Sequence, residues 1–233
     1  MVIDYLGHSG FLVETEKAVL LFDAFRPDLS AICTKGAGKP LFVFVSHSHE
    51  DHFDPSVFSL RERERPVRYI LSFDVRGNRL VPPDADAIFV NADETCEVEG
   101  LGTVRTLLST DEGVAFLVKT GKETVYHAGD LHWWDWEGEE PDWLAEQERV
   151  FKREVGLLKK ERIDAAFIVL DDRLGENCMK GAEWFLSVCR PAYALPMHFW
   201  HDRGIVGRFL ALPGSDNGYT KILDTTKDTH WEI

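Results

Sequence analysis

The chain has 233 residues, 44% of them hydrophobic and 12% aromatic, which suits one packed globular domain and excludes a disordered chain. With 26 Lys and Arg against 40 Asp and Glu, its formal charge is −14. Such a surface repels phosphate backbones and anionic lipid heads, so no nucleic-acid partner is expected.

No apolar run approaches the roughly 18 residues that cross a bilayer, which predicts no membrane contact. The opening Met1-Val2-Ile3-Asp4-Tyr5-Leu6 lacks the basic region and cleavage site of a signal peptide. Cys33, Cys96, Cys178 and Cys189 are widely spaced with no Cys-x-x-Cys pair, the usage of reduced core thiols. A cytoplasmic protein is expected.

In chain order, Val2–Leu6, Phe11–Glu14 and Ala18–Phe22 are predicted strands of a meander, the first two separated by the turn Gly7-His8-Ser9-Gly10. The segment Asp23 to Pro40 is polar and punctuated by Gly and Pro, which predicts a loop. Leu41–Val45 is a continuous apolar run, the pattern of a strand buried on both faces. Asp54-Pro55 opens a predicted helix: Asp is a good N-cap, Pro suits the first helical position, and Val57, Phe58 and Leu60 follow. Val67–Leu71, Ala87–Val90, Val104–Leu108, Val114–Lys119 and Thr124–His127 are further predicted strands. The second half predicts a helix over Asp142–Lys160, a strand over Ala165–Leu170, a helix over Lys180–Val188 and a strand over Tyr193–Met197. A meander followed by β-α-β units, without repeat or linker, predicts mixed α/β architecture in a single domain, 1–233.

The chemistry concentrates in Ser46-His47-Ser48-His49-Glu50-Asp51-His52, directly after the buried strand. Alternate residues of an extended chain share a face, so His47, His49 and Asp51 are expected to point the same way. His52 has the opposite parity and joins them if the backbone turns, a turn that the helix at Asp54-Pro55 would supply. Such a set can ligate zinc or another borderline divalent ion. The alternative, solvated loop histidines, needs three histidines and an aspartate to meet within six residues by coincidence. Asp130 follows a glycine at a strand's carboxyl end, a good position for a site, though it could instead cap a turn. His198 also ends an apolar strand and by itself reads equally well as a ligand or as a hydrogen-bonded core histidine.

The stretch resembles the His-x-His-x-Asp-His signature of the metallo-β-lactamase superfamily. Leu20-Leu21-Phe22-Asp23 is similar to that family's early strand ending in Asp. Tyr126-His127-Ala128-Gly129-Asp130 is similar to the strand whose Gly-Asp supplies a bridging carboxylate. Leu195-Pro196-Met197-His198 is similar to the last strand, which delivers the final histidine. The resemblance implies a four-layer αββα sandwich with the site along one edge of two packed sheets. It is nearest to the branch holding ascorbate-6-phosphate lactonase-like proteins and many uncharacterised metal-dependent hydrolases. Carried over, it implies that His47 and His49 bind one metal, that Asp51, His52 and His198 bind a second, and that Asp130 bridges both.

One family histidine is missing, because none lies between His52 and His127. Its place falls at or near Ser109 in Leu107-Leu108-Ser109-Thr110-Asp111, and Asp111 is the nearest residue able to replace it. A carboxylate there favours harder ions such as manganese, iron or magnesium; alternatively Asp111 caps a tight turn, or the first site is weak or empty. His8 is similar to a pocket-edge position or is a plain turn histidine, and the roles of His132 and His201 stay open. His127, three before Asp130, should face away. Trp133, Trp134 and Trp136 either wall a pocket or pack under a helix, and packing is the expectation. Arg173 either holds an anionic substrate group or forms a surface ion pair, the commoner fate.

The implied activity is metal-dependent hydrolysis of a small-molecule ester, lactone, amide or phosphodiester by a metal-activated water, with Asp51 and Asp130 as catalytic residues. Zinc is the first expectation for the metal, with manganese or iron as alternatives. Two rival readings are a non-catalytic or single-metal binding protein on the same fold, and a small phosphodiesterase or nuclease.

Overall fold

Short apolar runs along the chain form the strands, and pairing them in register leaves one end of two sheets free to carry the polar motifs. The computed structural model describes residues 1–36, 38–62, 65–213, 215 and 218–233, with the backbone alone for Glu62. Its strands are β1 (Val2–Gly7), β2 (Gly10–Glu14), β3 (Val19–Phe22), β4 (Leu41–Val45), β5 (Val67–Ser72), β6 (Ala87–Val90) and β7 (Thr95–Val98). Then follow β8 (Gly102–Leu108), β9 (Val114–Thr120), β10 (Glu123–His127), β11 (Ala165–Val169), β12 (Tyr193–Met197), β13 (Lys221–Ile222) and β14 (His230–Glu232). The α-helices are α1 (Leu29–Thr34), α2 (Pro141–Gly156), α3 (Lys180–Cys189) and α4 (Gly204–Leu210).

Among the described residues the strands form two sheets, ordered β14-β1-β2-β3-β4-β5-β6 and β13-β12-β11-β10-β9-β8-β7. Each begins as an antiparallel meander and continues with parallel strands: β3 to β6 in one, β10 to β13 in the other. Both halves therefore follow one plan, although no sequence repeat announces it.

The layering follows from side-chain parity. In β3 and β4, Leu20, Phe22, Phe42 and Phe44 enter the core between the sheets. Val19, Leu21, Leu41, Val43 and Val45 point the other way, onto Ile32 of α1 and onto Val57, Phe58 and Leu60. That alternation into two apolar environments is why the run lacks polar residues. Phe11 and Phe167 stack across the sheets at 3.9 Å. Tyr126 stacks on Phe185 of α3 on the outer face of the second sheet. The result is an α/β sandwich of four layers.

Several elements differ from expectation. The predicted loop from Asp23 to Pro40, in which Ala37 lies outside the described residues, contains α1, capped by Asp28 Oδ1 accepting from Ser30 N and Ala31 N. Six residues with Ile32 as the one buried side chain are too few to show a helical period. The helix at Asp54-Pro55 is a 3₁₀ helix, Pro55–Glu62, with Asp54 Oδ1 accepting from Ser56 N. The helix α2 ends at Gly156 rather than at Lys160. β7, β13, β14 and α4 were not expected: β7 is a largely polar edge strand, and β13 and β14 are two and three residues long.

Candidate metal centre

The strand β4 stops at Val45 because Ser46 is captured. Its N–H donates to Asp23 Oδ1 at 2.8 Å, its hydroxyl to Asp23 Oδ2 at 2.5 Å, and its carbonyl accepts from Val114 N. Gly113 and Gly129 make room for this junction. A Cβ on Gly113, at φ 68°, would lie 2.0 Å from Ser46 O, and one on Gly129 would lie 2.7 Å from Ser46 Cβ. The chain then turns: His52 N and Phe53 N both donate to His49 O, and Ser48 N donates to Asp74 Oδ2. The turn expected near His52 is therefore made within residues 49–53, before the 3₁₀ helix.

Two groups of possible ligands result. His47, His49, Asp111 and Asp130 offer ligand atoms within 4.8 Å of one another, and so do His8, Asp51, His52 and His198. In the first, His47 Nε2 lies 3.1 Å from His49 Nδ1 and 3.7 Å from Asp130 Oδ2, and Asp111 Oδ2 lies 3.8 Å from His49 Nδ1. In the second, Asp51 Oδ2 lies 2.9 Å from His8 Nε2, 3.6 Å from His52 Nε2 and 3.8 Å from His198 Nε2. Asp130 reaches both groups, since its Oδ1 stands 3.2 Å from His52 Nε2 and 3.3 Å from His198 Nε2. Asp51 thus sides with His52 and His198 rather than with His47 and His49, as simple strand parity had suggested.

Outer carboxylates fix the rings. Asp23 Oδ2 accepts from His52 Nδ1 at 2.8 Å, and Asp171 Oδ2 accepts from His198 Nδ1 at 3.2 Å. Ser46 Oγ lies 2.9 Å from His47 Nδ1, so Asp23 supports two histidines at once. With Nδ1 committed, Nε2 is left to face the centre. His52 Nε2, His198 Nε2 and Asp130 Oδ1 are buried without a hydrogen-bond partner among the described residues. Buried polar atoms are seldom left so, and a shared cation is the partner this donor set fits.

The protonation pattern agrees. Burial pushes His47 down to about 4, with the charge of His52 adding to it, so its imidazole is neutral at pH 7. Burial would also depress His52, but Asp130 and Asp23 on either side raise it well above the usual range. Burial would raise Asp130 and Asp51, yet surrounding histidines hold both below the usual carboxylate range. Burial and the Asp130 charge push Asp111 up. A cation would take the place of the His52 proton and relieve Asp111.

The backbone is strained at this edge. His8, Asp23 and His198, three of the six described non-glycine residues with positive φ, take values of 49°, 38° and 67°. His8 occupies the two-residue turn between the paired Gly7 and Gly10, and its carbonyl accepts from His198 N. This brings a residue from the first turn into the second ligand group.

Residues 2–137, more than half of the chain, match the family model described as the beta-lactamase superfamily domain. The chain belongs to the beta-lactamase superfamily. Among its curated relatives, the UPF0173 metal-dependent hydrolase of Pyrobaculum calidifontis is 31% identical over 140 residues, 56% of this chain and 61% of the relative. That of Opitutus terrae is 26% identical over 212 residues, 85% of each. The chain spans about three fifths of the length of the first of these relatives. Of solved structures, Igni18, a metallo hydrolase from Ignicoccus hospitalis, shares the fold with a TM-score of 0.68 at 18% identity, covering 95% of this chain and 93% of that one. The metallo-beta-lactamase fold protein YhfI of Bacillus subtilis gives 0.62 at 14% identity, covering 99% of both. His198 and Asp171 lie beyond the residues matched to the beta-lactamase superfamily domain, and their place rests on the structure.

Other residues sort clearly. Asp111 is near His49, while Ser109 Oγ accepts from Asp111 N and shapes the turn. His127 faces the inter-sheet core, stacked on Phe22, with Ser9 O at 2.9 Å from Nε2. His132 is buried outside both groups, and His201 is exposed beside Trp200. Trp133 packs on Phe151 of α2 as expected, but Trp134 and Trp136 wall the cleft beside Asp130. Two supporting residues carried no assigned role in the sequence: Asp23, although noted at its strand end, and Asp171. An acid directly after an apolar strand is the signal for both.

Proposed function

We propose that this chain is a metal-dependent hydrolase of a small-molecule ester, lactone, amide or phosphodiester, acting as one domain over residues 1–233 in the cytoplasm. The observation that carries the reading is the convergence of His52 Nε2 and His198 Nε2 on Asp130 Oδ1, at 3.2 and 3.3 Å and without a hydrogen bond among the described residues, beside a cleft that Asp130 lines. His47, His49, Asp111 and Asp130 would hold one divalent ion, and Asp51, His52, His198 and Asp130 the other. Zinc suits the imidazole-rich second set; Asp111 in place of an imidazole lets the first accept manganese or iron. When bound, the metal pair supplies Lewis acidity, which lowers the pKa of a water and polarises the substrate oxygen.

The chain's residues do the rest. His8 donates to Asp51 and keeps its carboxylate charged and oriented. Asp51 and Asp130 then hold the attacking water and accept its hydrogen bonds, while Trp134 and Trp136 limit bulk water on the cleft side. Four free cysteines, together with no helix among the described residues long and apolar enough to cross a membrane, support the location. The acidic balance of −14 disfavours nucleic acid as a partner.

The test is elemental analysis followed by a panel of chromogenic esters, lactones, amides and phosphodiesters with zinc, manganese and iron supplied in turn. Hydrolysis that is abolished in Asp51→Asn or Asp130→Asn with the fold intact is the expected result. Metal-loaded protein inert across the whole panel would favour a non-catalytic metal-binding role, and equal turnover by Asp130→Asn would reject the mechanism.

A further inference from the structure

The cleft beside the ligand groups has a volume of about 180 Å³, and its wall includes Asp111, Asp130, Trp134, Trp136, Trp143 and Arg173. Arg173 is the single cation among the described residues that line it, and it is fixed on three sides. Its guanidinium carbon lies 5.5 Å from the Trp136 ring and 5.0 Å from the Trp200 ring, within cation–π reach of both. Its Nε donates to Asp171 at 2.9 Å, and Nη2 bonds the same carboxylate. A guanidinium has five N–H donors in a planar fork. Asp171 takes those on the Nε side and leaves the Nη1 edge without a partner among the described residues.

A surface ion pair needs no such pinning. A planar fork with one edge anchored and the other unpaired among the described residues, on a side chain that lines a cleft, is suited to reading a carboxylate or phosphate by paired hydrogen bonds. Asp171 is also shared with His198, so its charge is not spent on Arg173 alone. With a divalent pair bound, the carboxylates of Asp51, Asp111 and Asp130 are overcompensated, and the floor of the cleft no longer repels an anion.

We propose that Arg173 recognises an anionic group, carboxylate or phosphate, on the substrate, whose apolar body lies against Trp134 and Trp136. The substrates are then small acidic esters, lactones, amides or phosphodiesters. The reaction named rests on the hydrolase reading; the recognition rests on the cleft itself.

Two measurements separate them. Calorimetric titration of zinc-loaded protein with benzoate, phenylphosphonate and benzamide reads recognition without turnover. Wild type should prefer at least one of the anions over benzamide, and Arg173→Gln should lose about tenfold to a hundredfold of that anion's affinity at unchanged zinc content. The anion that loses affinity identifies carboxylate or phosphate as the group read. Arg173→Lys keeps the charge without the fork and should lose most of the preference as well. The second measurement is the ratio of kcat/KM for 4-nitrophenyl hydrogen glutarate to that for neutral 4-nitrophenyl valerate, which cancels any loss transmitted through Asp171 to His198. Arg173→Gln should lower this ratio by a similar factor. Arg173-dependent binding with neither ester turned over would sink the hydrolase reading and leave the recognition standing. Turnover at equal ratios in both proteins, with no anion preference in binding, would overturn the recognition and leave the hydrolase.

Discussion

Replacing Asp23 by Asn removes a charge and an acceptor while leaving the volume unchanged. Asp23 is fully buried and accepts three hydrogen bonds: from Ser46 N at 2.8 Å, from Ser46 Oγ at 2.5 Å and from His52 Nδ1 at 2.8 Å. Asn tolerates the positive φ of 38° and can keep Oδ1 on Ser46 N. Its amide NH₂ then meets the His52 N–H donor to donor. A hydrogen bond to a charged group is worth about 1.5–3 kcal/mol. Outer-shell losses at metal sites cost about 10–100-fold in affinity, which is about 1.4–2.7 kcal/mol, so the two scales agree. Asp23→Asn is expected to weaken the ion held by His52 by that factor, with a smaller effect through Ser46 and His47. Competition against a chromogenic chelator at fixed pH measures it, and circular dichroism checks the fold. Affinity within about twofold of wild type would refute the assignment and leave Asp23 as a structural tie for Ser46.

Metal uptake should release protons. In the metal-free protein Asp130 and Asp23 hold the His52 proton, so apparent affinity should rise with pH until His52 deprotonates, whereas His47, at about 4, adds no pH dependence near neutrality. An indicator dye in weak buffer reads this, and uptake without proton release counts against His52 as a ligand. Asp111→Ala should remove one ion and leave the other, and unchanged stoichiometry by elemental analysis would show Asp111 to be a turn residue. Gly113→Ala should cost at least about 2 kcal/mol, lowering the melting temperature by roughly 4–8 °C, because its Cβ would meet Ser46 O. Unchanged melting would mean that the junction relaxes freely.

The strands that position the centre were legible because each signals itself locally. Leu41–Val45 is uniformly apolar, and Asp130 and His198 each follow an apolar strand, so their elements lie where the pattern put them. What escaped was set by contacts distant in sequence. β14 exists because β1 offers it an edge, pairing Val2 with Glu232. His8 joins Asp51 across 43 positions, and no period within Gly7-His8-Ser9-Gly10 announces that partner. Strand parity placed Asp51 with His47 and His49, but parity holds only while the chain stays extended, and it turns at His49. The tryptophans divide for the same reason: Trp133 meets α2 and Trp134 meets the cleft, although they are neighbours in sequence.

The left-handed backbone of His8, Asp23 and His198 bears on how this centre could change through descent. At each position one residue must satisfy two demands, an imidazole or carboxylate that serves the centre at a set place and a φ that most side chains resist. Asn and Gly meet the second demand without the first, whereas Val and Ile meet neither. A lineage abandoning metal chemistry would therefore drift first to Asn or Gly at these three positions, keeping the turns after their function had gone. Histidines on unstrained backbone, such as His49, would be free to scatter among many residue types. The pattern of replacement across descendants would then record which demand was relaxed first, the chemical or the conformational.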